Sequence, residues 1–114
     1  MSIPLPGTPV RGSKTGKPIM ALLDLMGRTW ALGIIWNLYQ TPLNFRALQT
    51  KCEAISPTLL NTRLKELRAA QLIEKSDQGY KLTDLGLSLF YLIEPMGEWS
   101  MHWQQELLNI QGEY

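Results

Sequence analysis

Thr58, Asn61, Thr62 and Lys65 follow one another along the stretch Ser56 to Ile73, SPTLLNTRLKELRAAQLI, and Arg68 closes the series. Short hydroxyls, a carboxamide and long cations on one surface can bond base edges and phosphate oxygens. The same side chains would also suit an ordinary solvated helix face. What positions them is a helix. Leu60, Leu64 and Leu67 recur at 4,3 spacing, so they share one face, and Thr58, Thr62 and Lys65 fall opposite, with Asn61 and Arg68 on the flank. Ser56 is a suitable N-cap, and Pro57 fits the first helical position, where no N–H is needed. Arg63 could reach phosphate or pair internally with Glu66 or Glu74.

Other chemistry is poorly supplied. The chain has one cysteine, Cys52, and one histidine, His102, far apart in sequence. No disulfide can form within the chain, and no cysteine-rich metal site can be built. Nothing places a Ser, His and Asp together, so an enzyme is not expected and no cofactor or metal is implied. Cys52 falls at an apolar helical position, where a thiol serves as a small buried hydrophobe; a redox role is the alternative.

The chain has 114 residues, about one domain. It is 45% hydrophobic and 18% charged, which suits a globular protein with a single small core. No secretory signal and no membrane-length apolar run is visible, so a soluble cytoplasmic protein without membrane contact is expected. The net charge of +1 conceals an uneven distribution. Residues 1 to 83 hold all 11 Lys and Arg against five acids, a balance of +6; residues 84 to 114 hold five acids and no Lys or Arg, a balance of −5. This asymmetry implies a basic working surface and a separate acidic end.

Residues 1–17, rich in Pro and Gly and carrying Arg11, Lys14 and Lys17, read as a flexible basic arm. Such an arm could brush phosphate or simply be an unstructured start. Residues 18–114 form the domain. Pro18 opens a first helix, Ile19 to Met26, with Leu22, Leu23 and Met26 on one face. A second is expected from about Thr29 to Tyr39, stopped by Thr41-Pro42. Leu43 reads as a very short strand, and Asn44 caps a third helix, Phe45 to about Cys52. Glu53-Ala54-Ile55 then connects into the Ser56 helix, which makes a helix-turn-helix. Ile73 to Ser76 and Tyr80 to Leu82 read as strands around a tight Asp77-Gln78-Gly79 turn. Thr83 caps a long final helical region, in which Pro95 should produce a kink or a split. The fold class is therefore mainly α with a small β-hairpin wing: a winged helix-turn-helix with additional N- and C-terminal helices.

The ordered motifs resemble those of the HxlR-type winged-helix transcription regulators, relatives of the MarR group, over roughly residues 18 to 99. Pro18-Ile19 resembles that family's opening Pro-Val. Asp24-Leu25-Met26-Gly27 with Trp30 resembles its Asp-Leu-Ile-Gly followed by Trp, and Pro42, Phe45 and Leu48 its Gly-Pro and Arg-Phe-x-x-Leu. Ile55-Ser56, Leu60, Arg63-Leu64 and Leu67 are similar to its recognition-helix pattern. Leu72-Ile73, Tyr80, Leu82-Thr83, Leu85-Gly86 and Trp99 are similar to the pattern of its wing and last helix. Three features depart from it. Lys17 stands where the family often has a cysteine, Gln71 stands where it usually has Gly, and the wing is short, with Lys75 and Lys81 beside Asp77. These departures remove thiol sensing at position 17 and leave minor-groove contact by the wing open.

The resemblance implies a sequence-selective regulator that binds double-stranded DNA as a homodimer. Ser56, Thr58, Asn61, Thr62 and Lys65 would meet base or phosphate, with Arg46, Lys51, Arg68 and, in one of its two readings, Arg63 on the backbone. A winged-helix module that binds protein instead of DNA is the alternative. Leu85, Leu89, Leu92, Met96, Trp99, Trp103 and Leu107 recur at 4,3,4,3,4,4 spacing, close to a helix-pair seam. Phe90, Ile93, Met101 and Leu108 widen that stripe. The expected dimer interface is Ile19, Leu22 and Leu23 with Leu92, Met96, Trp99, Trp103 and Leu107; the alternative is a last helix folded back on its own domain. An unknown small-molecule effector could occupy an apolar pocket among tryptophans and methionines near the helix ends, or those residues could simply pack the core.

Overall fold

The computed structural model describes residues 3–112. Its elements are α1 (Pro18–Met26), α2 (Ala31–Leu38), α3 (Phe45–Lys51), α4 (Pro57–Ala69), β1 (Ile73–Ser76), β2 (Gly79–Leu82) and α5 (Asp84–Gly112). This is a winged helix-turn-helix with a helix added at each end.

Pro18 occupies the first turn of α1, and Ala21 and Leu25, one turn apart, are the residues it buries. The inward face is thus carried by Ala21 and Leu25, which the spacing had not singled out. Ile19 and Leu23 are more than half exposed. Apolar residues surround α1 on all sides, so periodicity could not choose between faces. Helix α2 starts two residues later than expected, because Trp30 takes the left-handed conformation, φ 69°, and turns the chain between the helices. The Trp30 ring then lies over Gly33, where a Cβ would collide with it.

The core is built by Ile34 and Ile35 of α2, Leu48 of α3 with Cys52, and Leu60, Leu64 and Leu67 of α4, all essentially inaccessible to solvent. Both helices of the helix-turn-helix are capped by side chains. Asn44 Oδ1 accepts from the Ala47 N–H (2.8 Å), and Ser56 Oγ accepts from the Leu59 N–H (3.1 Å). Glu53 and Ala54, both left-handed, make the turn between them. Gln49 Nε2 donates to the Ile55 carbonyl (2.9 Å) and ties the turn back to α3.

After α4 the chain reverses at Gln71, φ 65°, and the Leu72 N–H closes back on the Leu67 carbonyl (3.0 Å). β1 and β2 pair antiparallel from Ile73↔Leu82 to Ser76↔Gly79. Leu43 adds a short third rung, exchanging two backbone hydrogen bonds with Tyr80 (3.0 and 2.8 Å). Gly79 is required there: its φ is 119° and a Cβ would meet the Leu43 carbonyl.

Thr83 locks the wing to the last helix. Its hydroxyl donates to the Gln71 carbonyl (2.6 Å) and accepts from the Gly86 N–H (3.0 Å). Gly86 packs against the Leu72 carbonyl so closely that no side chain fits. Helix α5 runs unbroken through Pro95, so of the kink or split expected there the split does not occur. It buries Gly86, Phe90 and Ile93 against the domain, and Tyr39 stacks on Phe90 (3.9 Å, 9°). Every residue from Glu98 to Gly112 is exposed, about 22 Å of helix standing clear of the domain. The radius of gyration, 16.1 Å, accordingly exceeds the roughly 13 Å of a rounded chain of this length.

Gln71 holds a left-handed position that costs a non-glycine residue about 1 kcal/mol or more. Gln71→Gly should therefore raise the melting temperature, by about 4 °C for a gain near 1 kcal/mol. A lower melting temperature in a thermal scan would show that the Gln71 side chain, not its backbone, matters here.

Candidate nucleic-acid interface

The inner side of α4 is fully used. Leu60, Leu64 and Leu67 enter the core, and Glu66 is buried at 6% exposure. The outer side is not. Thr58, Asn61, Lys65 and Arg68 are exposed, Thr62 is half-buried, and their side chains make no hydrogen bond or ion pair among the described residues. Ser56 is exposed at the N-terminal end, its hydroxyl oxygen engaged as the cap. Arg46 and Lys51 project from α3 into solvent on the neighbouring helix. The structure thus brings Ser56, Thr58, Asn61, Thr62, Lys65 and Arg68 onto one helix, whereas Lys51 borders a cleft with Trp36, Tyr39, Phe90 and Glu94 instead of α4.

Arg63 is different. It turns inward: Nε donates to the Thr29 carbonyl (2.8 Å) and a terminal nitrogen pairs with Glu66 (2.9 Å). Of its two readings, the geometry takes the internal pair. Arg28 binds the other oxygen of Glu66 and lies 3.8 Å from Asp24. The Glu66 partnership with Arg28 could not be read from the sequence, because Arg28 is 38 positions away. The one visible hint was a carboxylate wedged between Leu64 and Leu67 on an apolar-faced helix.

Between α4 and β1 lies an open cleft of about 510 Å³, lined by Lys65, Arg68 and Lys75 together with Ala69, Gln71, Ile73 and Glu74. Lys75 is held over the Tyr80 ring, 5.7 Å from its centre. Glu74 is drawn toward Lys81 (3.5 Å), an exposed pair that contributes little stability. Lys75 therefore adds a third cation to a cleft whose other two sit on the recognition helix, a neighbourhood that strand register creates and linear spacing hides.

The expected dimer residues lie elsewhere. Ile19 and Leu23 on α1, and Leu92, Met96, Trp99, Trp103 and Leu107 on α5, are exposed; Leu22 is half-buried. The rings of Trp99 and Trp103 stack on each other (6.1 Å, 12°). The stripe is not folded back onto its own domain; of the widening set, Phe90 and Ile93 point inward while Met101 and Leu108 point out. A cleft of about 260 Å³ with a mainly apolar lining exists, but it lies under the Ile3–Pro6 segment against α1 and the end of α4, and no tryptophan or methionine lines it. The rest of the arm forms a loop, with the Gly7 N–H bonded to the Gly16 carbonyl (2.8 Å) and the Arg11 N–H bonded to the Asp24 carboxylate (3.2 Å).

A capped helix-turn-helix, a bare polar face on its second helix and a following hairpin define a winged-helix regulator. Comparison with known proteins gives the family. Residues 25–107 match the model of the HxlR-like helix-turn-helix. The uncharacterised HTH-type transcriptional regulator YdzF of Bacillus subtilis (strain 168) is 30% identical over 92 residues, 74% of this chain and 84% of YdzF. The quinone-bound structure of YodB from B. subtilis superposes with a TM-score of 0.68 at 28% identity, covering 74% of this chain and 96% of YodB. A candidate HxlR family transcriptional factor from Thermoplasma volcanium GSS1 gives a TM-score of 0.69 at 28% identity over 78% of this chain and 86% of its own. The chain belongs to the HxlR-like helix-turn-helix family and is a transcription regulator.

Cys52 is buried at the end of α3, with the Asn37 carboxamide 3.9 Å from its sulfur. Burial, more than any neighbour, pushes its thiol pKa up; the Asn37 contact opposes this, and Glu53 adds a smaller upward push. A group whose folded pKa is raised contributes stability below its unfolded pKa and loses it as pH rises through the folded value. Burial and the raised pKa both disfavour the reactive thiolate. Iodoacetamide should label it slowly in the native protein and quickly in urea; fast native labelling at pH 7 would contradict the burial.

Proposed function

We propose that the chain is a sequence-selective DNA-binding regulator that acts as a two-fold dimer, with α4 in the major groove. The observation that carries this reading is the outer face of α4. Its Thr58, Asn61, Thr62, Lys65 and Arg68 side chains are unspent inside the domain, while Leu60, Leu64, Glu66 and Leu67 on the inner side are buried. The major groove is wide enough for a helix, and these side-chain types are those that bond base edges and phosphates there. Arg46, Lys51 and Arg68 are assigned to backbone phosphate, and Lys75 supports a further phosphate contact across the cleft between α4 and β1. Arg63 is assigned to holding α4 in place. No single helix among the described residues is long and apolar enough to cross a membrane. The working place proposed is the cytoplasm, in contact with DNA.

The dimer is supported by the free half of α5. Leu92 is 74% exposed and Trp99 61%, on a helix whose residues from Glu98 to Gly112 are all exposed. Apolar surface of this extent marks an interface. A two-fold pairing through α5 and the exposed side of α1 would set two copies of α4 about one DNA turn apart, roughly 34–36 Å. Asp84, Glu94, Glu98 and Glu106 on this helix would then lie away from the DNA phosphates.

Asn61→Ala and Lys65→Ala should each keep the fold and weaken binding to a selected operator, by about 1–3 kcal/mol where a base contact is lost. Affinity should fall with salt at a slope of about −0.9 per phosphate contacted. Unchanged affinity in both variants and a flat salt response would favour a module that binds protein. Trp99→Glu should give a folded monomer by sedimentation, with operator binding much reduced. A monomeric wild type at micromolar concentration would refute the dimer.

A further inference from the structure

Helix α1 and helix α4 are joined across two clefts. One, of about 260 Å³, lies between Ala21, Leu22 and Leu25 of α1 and Ala69 and Ala70 at the end of α4. The other, of about 370 Å³, lies between Asp24, Gly27 and Arg28 on one side and Arg63 and Glu66 on the other. Direct apolar packing of α1 on α4 along this seam is therefore incomplete, and Ile3 to Pro6 also line the first cleft. What spans the seam is a chain of charges. The Arg11 N–H bonds to Asp24, Asp24 lies 3.8 Å from Arg28, Arg28 binds Glu66, Glu66 binds Arg63 (2.9 Å), and Arg63 Nε–H reaches back to the Thr29 carbonyl (2.8 Å). The Thr29 carbonyl is presented by the sharp corner that Trp30 makes at φ 69°.

We propose that Glu66 is a positioning residue that fixes the orientation of the recognition helix relative to α1. Its carboxylate is the only buried charge among the described residues that takes a cation from each side of the seam. A buried carboxylate held by two guanidiniums has a narrow range of positions, because removing either partner leaves an uncompensated charge. The separation of two such helices in a dimer sets the half-site spacing that a DNA site must have. This consequence rests on the DNA-binding reading above; the positioning itself does not. Glu66 faces away from the proposed DNA surface, so its effect would be on register and not on contact.

The test measures geometry and binding separately. Spin labels on Lys17→Cys and Asn61→Cys, in a Cys52→Ala background and diluted with excess unlabelled chain, report the α1 to α4 distance within one protomer. The wild type should give one narrow distribution. Glu66→Gln, with unchanged far-UV helicity, should give a broader one, and an unchanged width would overturn the proposal. Should Glu66→Gln fail to fold, Arg63→Lys serves in its place: it keeps the charge but cannot make both bonds, and should also broaden the distribution. In the binding arm, the wild type should discriminate against an operator with one inserted base pair between half-sites. Glu66→Gln should lose about tenfold of that discrimination, the scale of one mismatched base pair. A wild type with no spacing preference would refute the DNA reading alone, and the distance widths would still decide the role of Glu66.

Discussion

The packing of Leu60, Leu64 and Leu67 beneath α4 is the contact on which the rest of this structure depends. These three side chains are 0–1% exposed. Burying each contributes about 1.5–3 kcal/mol, and truncating a fully buried leucine to alanine costs about 2–5 kcal/mol. A 13-residue helix would be marginal alone in water. It persists because its inner face is shared by α2, α3 and the start of β1. That sharing leaves the outer face free to carry polar groups with no structural duty. The division between a committed face and an idle one is what the proposed recognition surface requires.

The remaining elements follow from holding that helix at both ends. The Ser56 cap fixes where α4 begins, and the left-handed Gln71 fixes where it stops. Thr83 then bridges Gln71 and Gly86, so the end of α4, the base of the wing and the start of α5 form one joint. Gly86 allows α5 to approach the Leu72 carbonyl at backbone distance. From this joint α5 leaves the domain and carries its acidic, tryptophan-bearing half outward. The charge asymmetry of the chain therefore becomes a spatial one, with cations around α3, α4 and the wing and acids along the projecting helix. The same joint ties the start of α5 to the end of α4, and the Glu66 ion pairs tie α4 to the corner that follows α1.

Much of this was legible in the residues, and the exceptions have physical reasons. The α4 pattern, both caps, the hairpin and the bridge at Leu43 each have a local signal that tertiary packing reinforces. The inward face of α1 had none, because Ile19, Leu22, Leu23 and Met26 are as apolar as Ala21 and Leu25. The start of α2 depended on a left-handed tryptophan, a conformation that its residue type does not announce. Pro95 removes one backbone donor, yet the turns on either side keep α5 in a single helix. At the candidate site, exposure of the polar face followed from periodicity. The inward turn of Arg63 did not, since its partners Thr29 and Glu66 converge only in the folded chain.

The central claim is that α4 lies in the major groove, one copy in each half of a two-fold site. Tethering an iron chelate at Asn61→Cys in a Cys52→Ala background, and mapping the strand cuts it makes on a selected DNA, tests this most directly. The account predicts two clusters of cuts about one helical turn apart, related by the two-fold axis. A single cluster, or cutting no more localised than that from a chelate placed at the far end of α5, would contradict it.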